Sequence, residues 1–141
     1  MCKLSLVATA PGGHIGLQIR LDTQVIFDST IELDKKIIEY QFEDSDNTTH
    51  VLEIEMTGKL SNDTEIDLDG KILSDKSITI ENLSLDEIVL GQLITDLSVY
   101  THNFNGSQDT IEDQFFGNMG CNGIVRFEFT SPVYRWMLEN M

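Results

Sequence analysis

Basic residues are scarce in this sequence. Nine Lys and Arg stand against 24 Asp and Glu in 141 residues, a formal net charge of −15. That field repels a nucleic acid, whose affinity for proteins comes largely from cations meeting phosphates. It repels an anionic membrane surface for the same reason. Cysteine is nearly missing too. Cys2 and Cys121 are too few for the disulfide framework of a small secreted chain. No apolar run approaches the length of a membrane-spanning helix, and no charged-then-apolar leader precedes the first strand. The expectation is a protein made in the cytoplasm with free thiols and without nucleic-acid or membrane partners. Without a leader, the Asn-x-Ser/Thr triplets at Asn47, Asn62, Asn82 and Asn105 carry no weight as glycosylation sites.

Helix signals are few, and internal repeats, low-complexity tracts and linkers are lacking. What remains is strand pattern. Apolar residues are 40% of the total, ordinary for a globular chain, and the length suits one domain, residues 1–141. Ile15, Leu17, Ile19 and Leu21 alternate with Gly16, Gln18 and Arg20, the period of a half-buried strand. Ile38, Tyr40 and Phe42 repeat the pattern, as do Leu52, Ile54 and Met56, Ile78 and Ile80, and Val125, Phe127 and Phe129. Turn chemistry separates these runs: Asp22-Thr23-Gln24, Asp44-Ser45-Asp46-Asn47, Asp69-Gly70 and Asn122-Gly123. The fold class expected is all-β, an antiparallel two-sheet β-sandwich of jelly-roll type. Ser84-Leu85-Asp86-Glu87 offers a cap for one short helical turn. Ile88 to Leu97 fits a strand or a short helix. Residues 101–120 form the longest segment without assigned structure. Val133 to Glu139 is expected as a last strand or extended segment, with Trp136 plugging the sandwich.

Candidate sites are few. Glu65-Ile66-Asp67-Leu68-Asp69-Gly70 imitates the start of a calcium loop, with oxygens at alternating positions and glycine sixth. Its twelfth position is Lys76 rather than a bidentate Glu, so a regular loop of that type is excluded. An irregular calcium site on Asp67 and Asp69, or on Asp44 and Asp46, is the metal alternative. The competing reading of Asp44, Asp46 and Asn47 is an Asx-rich turn. His14, His50 and His102 have no partner at zinc spacing. No serine or cysteine stands in a nucleophile motif, so no catalytic residue is assigned. The glycines of Pro11-Gly12-Gly13 precede a strand, not a helix, and are expected to turn the chain. The aromatics Tyr100, Phe104, Phe115 and Phe116 fall in or beside the long loop, where such rings stack on sugars or fill a partner's pocket. Tyr134 and Trp136 give the C-terminal end a similar character.

Two stretches carry a resemblance: Leu52 to Lys59 with Ser77 to Ile88, and the ending Asn122-Gly123-Ile124-Val125-Arg126-Phe127-Glu128-Phe129 through Trp136. Together they resemble small proteins encoded by tailed bacteriophages, over residues 50–141. The resemblance implies a non-enzymatic virion component, such as a capsid decoration protein or a tail or fibre subunit. Such a protein would be located in the virion and partnered by other virion proteins or by copies of itself. The outline is also similar to sandwich-type carbohydrate-binding modules. That alternative implies a glycan partner, with calcium as an optional cofactor and the loop aromatics as stacking platforms.

Overall fold

The computed structural model describes residues 1–59, 65–66, 68–69, 72–74, 76–103 and 109–140. The first half of the chain forms β1 (Cys2–Thr9), β2 (Ile15–Leu21), β3 (Gln24–Ile31), β4 (Lys36–Phe42), β5 (Thr48–Thr57), β6 (Glu65–Ile66) and β7 (Ile72–Ser74). The second half forms β8 (Ile78–Leu85), β9 (Ile88–Val89), α1 (Gln92–Leu97), β10 (Val99–His102), β11 (Ile111–Gln114), β12 (Asn118–Met119), β13 (Gly123–Ser131) and α2 (Val133–Asn140). Among the described residues, two antiparallel sheets carry the fold. One runs β12-β8-β1-β4, with β9 also on β8; the other runs β11-β10-β13-β5-β2-β3. The expected two-sheet sandwich is therefore the architecture observed.

Alternation decides which face of each strand turns inward. β1 and β2 bury every second residue without a break. β5 and β13 pair in continuous register from Met56 opposite Gly123 to Thr48 opposite Ser131. That register puts Leu52, Ile54 and Met56 on the same face as Val125, Phe127 and Phe129, and all six are buried. Burying this shared face stabilises the fold at about 25 cal/mol per Å² of apolar surface removed from water. Asp22 (φ 53°) and Thr23 (φ 70°) form the two-residue turn between β2 and β3, with Leu21 opposite Gln24. Positive φ at both positions is the I′ geometry that matches strand twist.

Several sequence expectations need correction. Ser84 to Glu87 starts no helix: Asp86 (φ 49°) and Glu87 (φ 69°) make a second two-residue hairpin turn, joining β8 to β9. Ile88 to Leu97 divides into β9 and α1. Residues 101–120 contain the end of β10, all of β11 and β12, and His102 closes a strand instead of sitting in a loop.

The C-terminal segment is the helix α2, not a strand. Asp44 Oδ1 accepts the Val133 N–H at 3.1 Å, satisfying one of the donors that a helix start leaves open. Val133, Trp136 and Met137, spaced as one helical face, are buried. Trp136 does plug the sandwich, edge-on to Phe127 and Phe129 at centroid distances of 5.5 and 6.0 Å.

Candidate functional site

β8 contains the irregularity that builds a surface recess. Its apolar spacing is two from Ile78 to Ile80 but three from Ile80 to Leu83. The register against β1 shifts at the same place, with Val7 opposite Glu81 but Ser5 opposite Ser84. Asn82 absorbs the extra residue at φ 54°, a conformation Asn tolerates better than most residues. The bulge turns the Asn82 side chain outward beside the segment that crosses from β11 to β12. There Phe115 is buried and Phe116, the next residue, is 75% exposed. Gly117, at φ 99°, carries the chain on, and its carbonyl accepts the Ile80 N–H at 2.8 Å.

The result is a recess of about 180 Å³ whose lining includes Asn82, Val89, Thr95, Phe116 and Gly117. Asn82 is exposed and Thr95 half-buried. Neither the Asn82 amide nor the Thr95 hydroxyl makes a hydrogen bond among the described residues, whereas the Thr95 carbonyl accepts from Gln114 Nε2 at 3.0 Å. An exposed ring beside an amide and a hydroxyl offers one apolar face and directional hydrogen bonds. That combination suits a ligand with an apolar face and hydroxyl edges.

A wider recess of about 350 Å³ opens where β5, β10 and β13 meet, with Glu55, Thr57, Thr101, Thr110 and Asn122 in its lining. Close backbone approach shapes it. A Cβ on Gly123 would lie 2.5 Å from the Thr101 carbonyl oxygen, and one on Gly16 would collide with Thr57 Oγ1. On the same outer sheet face Arg20 donates to Glu55 at 2.8 Å and sits 3.6 Å from Glu53. The Glu55 hydrogen bond is the main cause that raises the Arg20 pKa. No Phe, Tyr or Trp ring is among the described residues that line this recess.

Distant segments also meet in an arrangement absent from the sequence motifs. His50 Nδ1 lies 2.7 Å from Asp22 Oδ2, and His50 Nε2 lies 2.9 Å from Ser131 Oγ. The order is that of an acyl-transfer triad, but the surroundings are not. Ser131 is only 4% exposed. The nitrogen that follows it belongs to Pro132 and has no hydrogen to offer an oxyanion. The second Asp22 oxygen is held by the Val51 N–H at 2.8 Å. His50 is buried against Phe42 and Phe129, at centroid distances of 4.9 and 5.2 Å. These contacts staple the ends of β2, β5 and β13.

The structure brings Tyr100 and Phe115 together, edge-on with 6.4 Å between ring centroids, but inside the fold and not on its surface. Tyr100 lies within β10, buried, its hydroxyl bonded to the Cys121 carbonyl and accepting the Cys121 N–H at 3.0 Å. Burial pushes its pKa up to about 12. Phe115 is core and Phe116 is surface; Phe104 lies outside the described residues. Tyr134 is half-exposed on α2, 3.4 Å from Asp86 Oδ2, and Trp136 is core. His102, which has no partner at zinc spacing in the sequence, lies with Nε2 2.8 Å from Asp113 Oδ2. Asn82 and Thr95 were missed; the slipped spacing from Ile80 to Leu83 was the available signal.

For calcium, Asp44 is engaged at the start of α2, Asp46 and Asp69 are exposed, and Asp67 lies outside the described residues. Among the described residues no group of three or more His, Cys, Asp or Glu side chains is placed to hold a metal ion. None of the described helices is long and apolar enough to cross a membrane.

No family model and no curated protein matches the sequence. Two solved structures match the fold. One is described as "vCBM60 in complex with galactobiose"; it is 15% identical, covers 89% of this chain and 96% of its own, and has a TM-score of 0.51. The other is a selenomethionine form of vCBM60, described with "an evolutionary link between two families of calcium-dependent carbohydrate binding modules". It is 11% identical, covers 90% of each chain and has a TM-score of 0.58. At these identities the likeness is one of fold. Neither neighbour is a virion protein, and this finding overturns the expectation of a bacteriophage structural component.

Proposed function

We propose that this chain is a non-catalytic carbohydrate-binding module, with the glycan resting on Phe116 and hydrogen-bonded by Asn82 and Thr95. One observation carries the reading: an exposed phenyl ring beside an unengaged amide and hydroxyl. It stands on a sandwich that matches two carbohydrate-binding modules over 89% and 90% of its length. A ring covering the apolar face of a sugar removes both surfaces from water, and the polar partners fix its orientation. The charge of −15 favours neutral glycans over sulfated or uronic ones.

A glycan array that includes galactobiose tests the reading. Binding of neutral oligosaccharides supports it, and a silent array counts against it. The calcium dependence stated for the second neighbour supports a calcium-assisted form, for which the described residues supply no cage. Repeating the binding in EDTA reads this out. Loss that calcium restores keeps the ion in the account, and unchanged binding removes it.

A further inference from the structure

The glycan recess does not end at α1. Val89, exposed on β9, lines it on one side and also lines a second groove of about 300 Å³. The two hollows lie on opposite faces of α1: Gly91, Ile94 and Thr95 border the first, and Gln92, Leu93 and Asp96 the second. The character changes across Val89. The second groove is walled by Ile88, Leu90, Leu93 and Met137, so its surface is mainly apolar. Ile88 remains exposed there, while Leu90 and Met137 belong to the core.

Charge narrows the occupant. Asp96 is the one charged residue among the described lining of this groove, and its Oδ1 already accepts Gln92 Nε2 at 2.9 Å. Nothing there offers a cation to a fatty-acid carboxylate or a lipid phosphate, and the chain as a whole repels both. An uncharged apolar group fits. Because Val89 borders both hollows, a sugar seated on Phe116 has this apolar groove beside it.

We infer that the ligand is a neutral glycoside with an apolar aglycone, the sugar on Phe116 and the aglycone in the groove between β9, α1 and α2. This inference rests on the glycan-binding reading and adds the second half of the ligand.

The test uses isothermal titration of the full chain with matched methyl and hexyl β-glycosides of galactose and glucose, with galactobiose as reference. The hexyl glycoside of the preferred sugar is expected to bind at least tenfold tighter than the methyl one. Tenfold corresponds to about 1.4 kcal/mol, roughly two buried methylenes. Ile88→Gln, a change outside the sugar recess, is expected to reduce that advantage at least threefold and to leave methyl-glycoside binding unchanged. Amide shifts at Leu90, Leu93 and Asn140 are expected with the hexyl and not the methyl ligand; they serve as the readout if Ile88→Gln does not fold. Equal methyl and hexyl affinities, with galactobiose bound, would overturn the aglycone groove and leave the glycan reading intact. A hexyl advantage without shifts at those amides would overturn it as well. Failure of every sugar to bind would overturn both.

Discussion

If the Asp22–His50–Ser131 relay is a staple, its members differ in cost in an order set by burial. Ser131→Ala removes the hydroxyl 2.9 Å from His50 Nε2 and leaves a buried ring nitrogen without a partner. The loss is about 1–3 kcal/mol, the desolvation penalty of an unsatisfied polar atom. His50→Leu costs more, about 3–4 kcal/mol, because it adds the loss of two ring contacts at 4.9 and 5.2 Å. Asp22→Asn costs least, about 1 kcal/mol or below, because that side chain is 44% exposed and water replaces part of what is lost. Urea unfolding followed by the single tryptophan, Trp136, measures all three. Trp136 packs on Phe129, so the probe sits beside the staple. The slope with urea is expected to be unchanged. A Ser131→Ala variant within about 0.3 kcal/mol of wild type would refute the reasoning. So would hydrolysis of a p-nitrophenyl ester by wild type that the same variant abolishes.

Three further outcomes are expected. Gly123→Ala should cost about 1–3 kcal/mol, because its Cβ would lie 2.5 Å from a backbone oxygen of β10 and 2.8 Å from His102 Cβ. A thermal melt within 1 °C of wild type would contradict this. Trp136→Ala should cost about 3–5 kcal/mol in denaturant titrations followed by circular dichroism; a loss below 1 kcal/mol would show that α2 is not part of the core. Burial pushes the Cys2 thiol from 9.0 up to about 12, so at pH 8.5 iodoacetamide should spare it until the chain unfolds. The same shift sets a sign. Above pH 9 the unfolded chain gives up this proton while the folded chain keeps it, so stability falls as pH rises towards 12. A Cys2→Ala variant with the same alkaline slope as wild type would contradict that assignment.

The long strands were legible because burial on one face imposes period two, and Ile15 to Leu21 or Val125 to Phe129 display it without interruption. Short elements were not. α2 has eight residues, and period alone does not separate one helical face from a strand over so brief a run. β10 has four residues, so Tyr100 looked like a loop aromatic although its neighbours in space place it in a sheet. The staple was invisible for a different reason. Asp22 and His50 lie 28 positions apart, and His50 and Ser131 lie 81 apart, separations that no local motif encodes. Phe115 and Phe116 could be told apart only once the crossing from β11 to β12 fixed which ring faces in. The part Asp44 plays in starting α2 was likewise not legible from residue type, because its partner Val133 lies far along the chain.

Titration of wild type and Phe116→Ala with the strongest neutral glycan from the array tests whether the exposed ring carries glycan binding. Phe116 is 75% exposed, so the substitution should leave the melting temperature nearly unchanged. Wild type is expected to bind, and Phe116→Ala to weaken binding roughly tenfold, about 1.4 kcal/mol. Equal affinity in the two proteins, or no glycan bound by wild type, would contradict it.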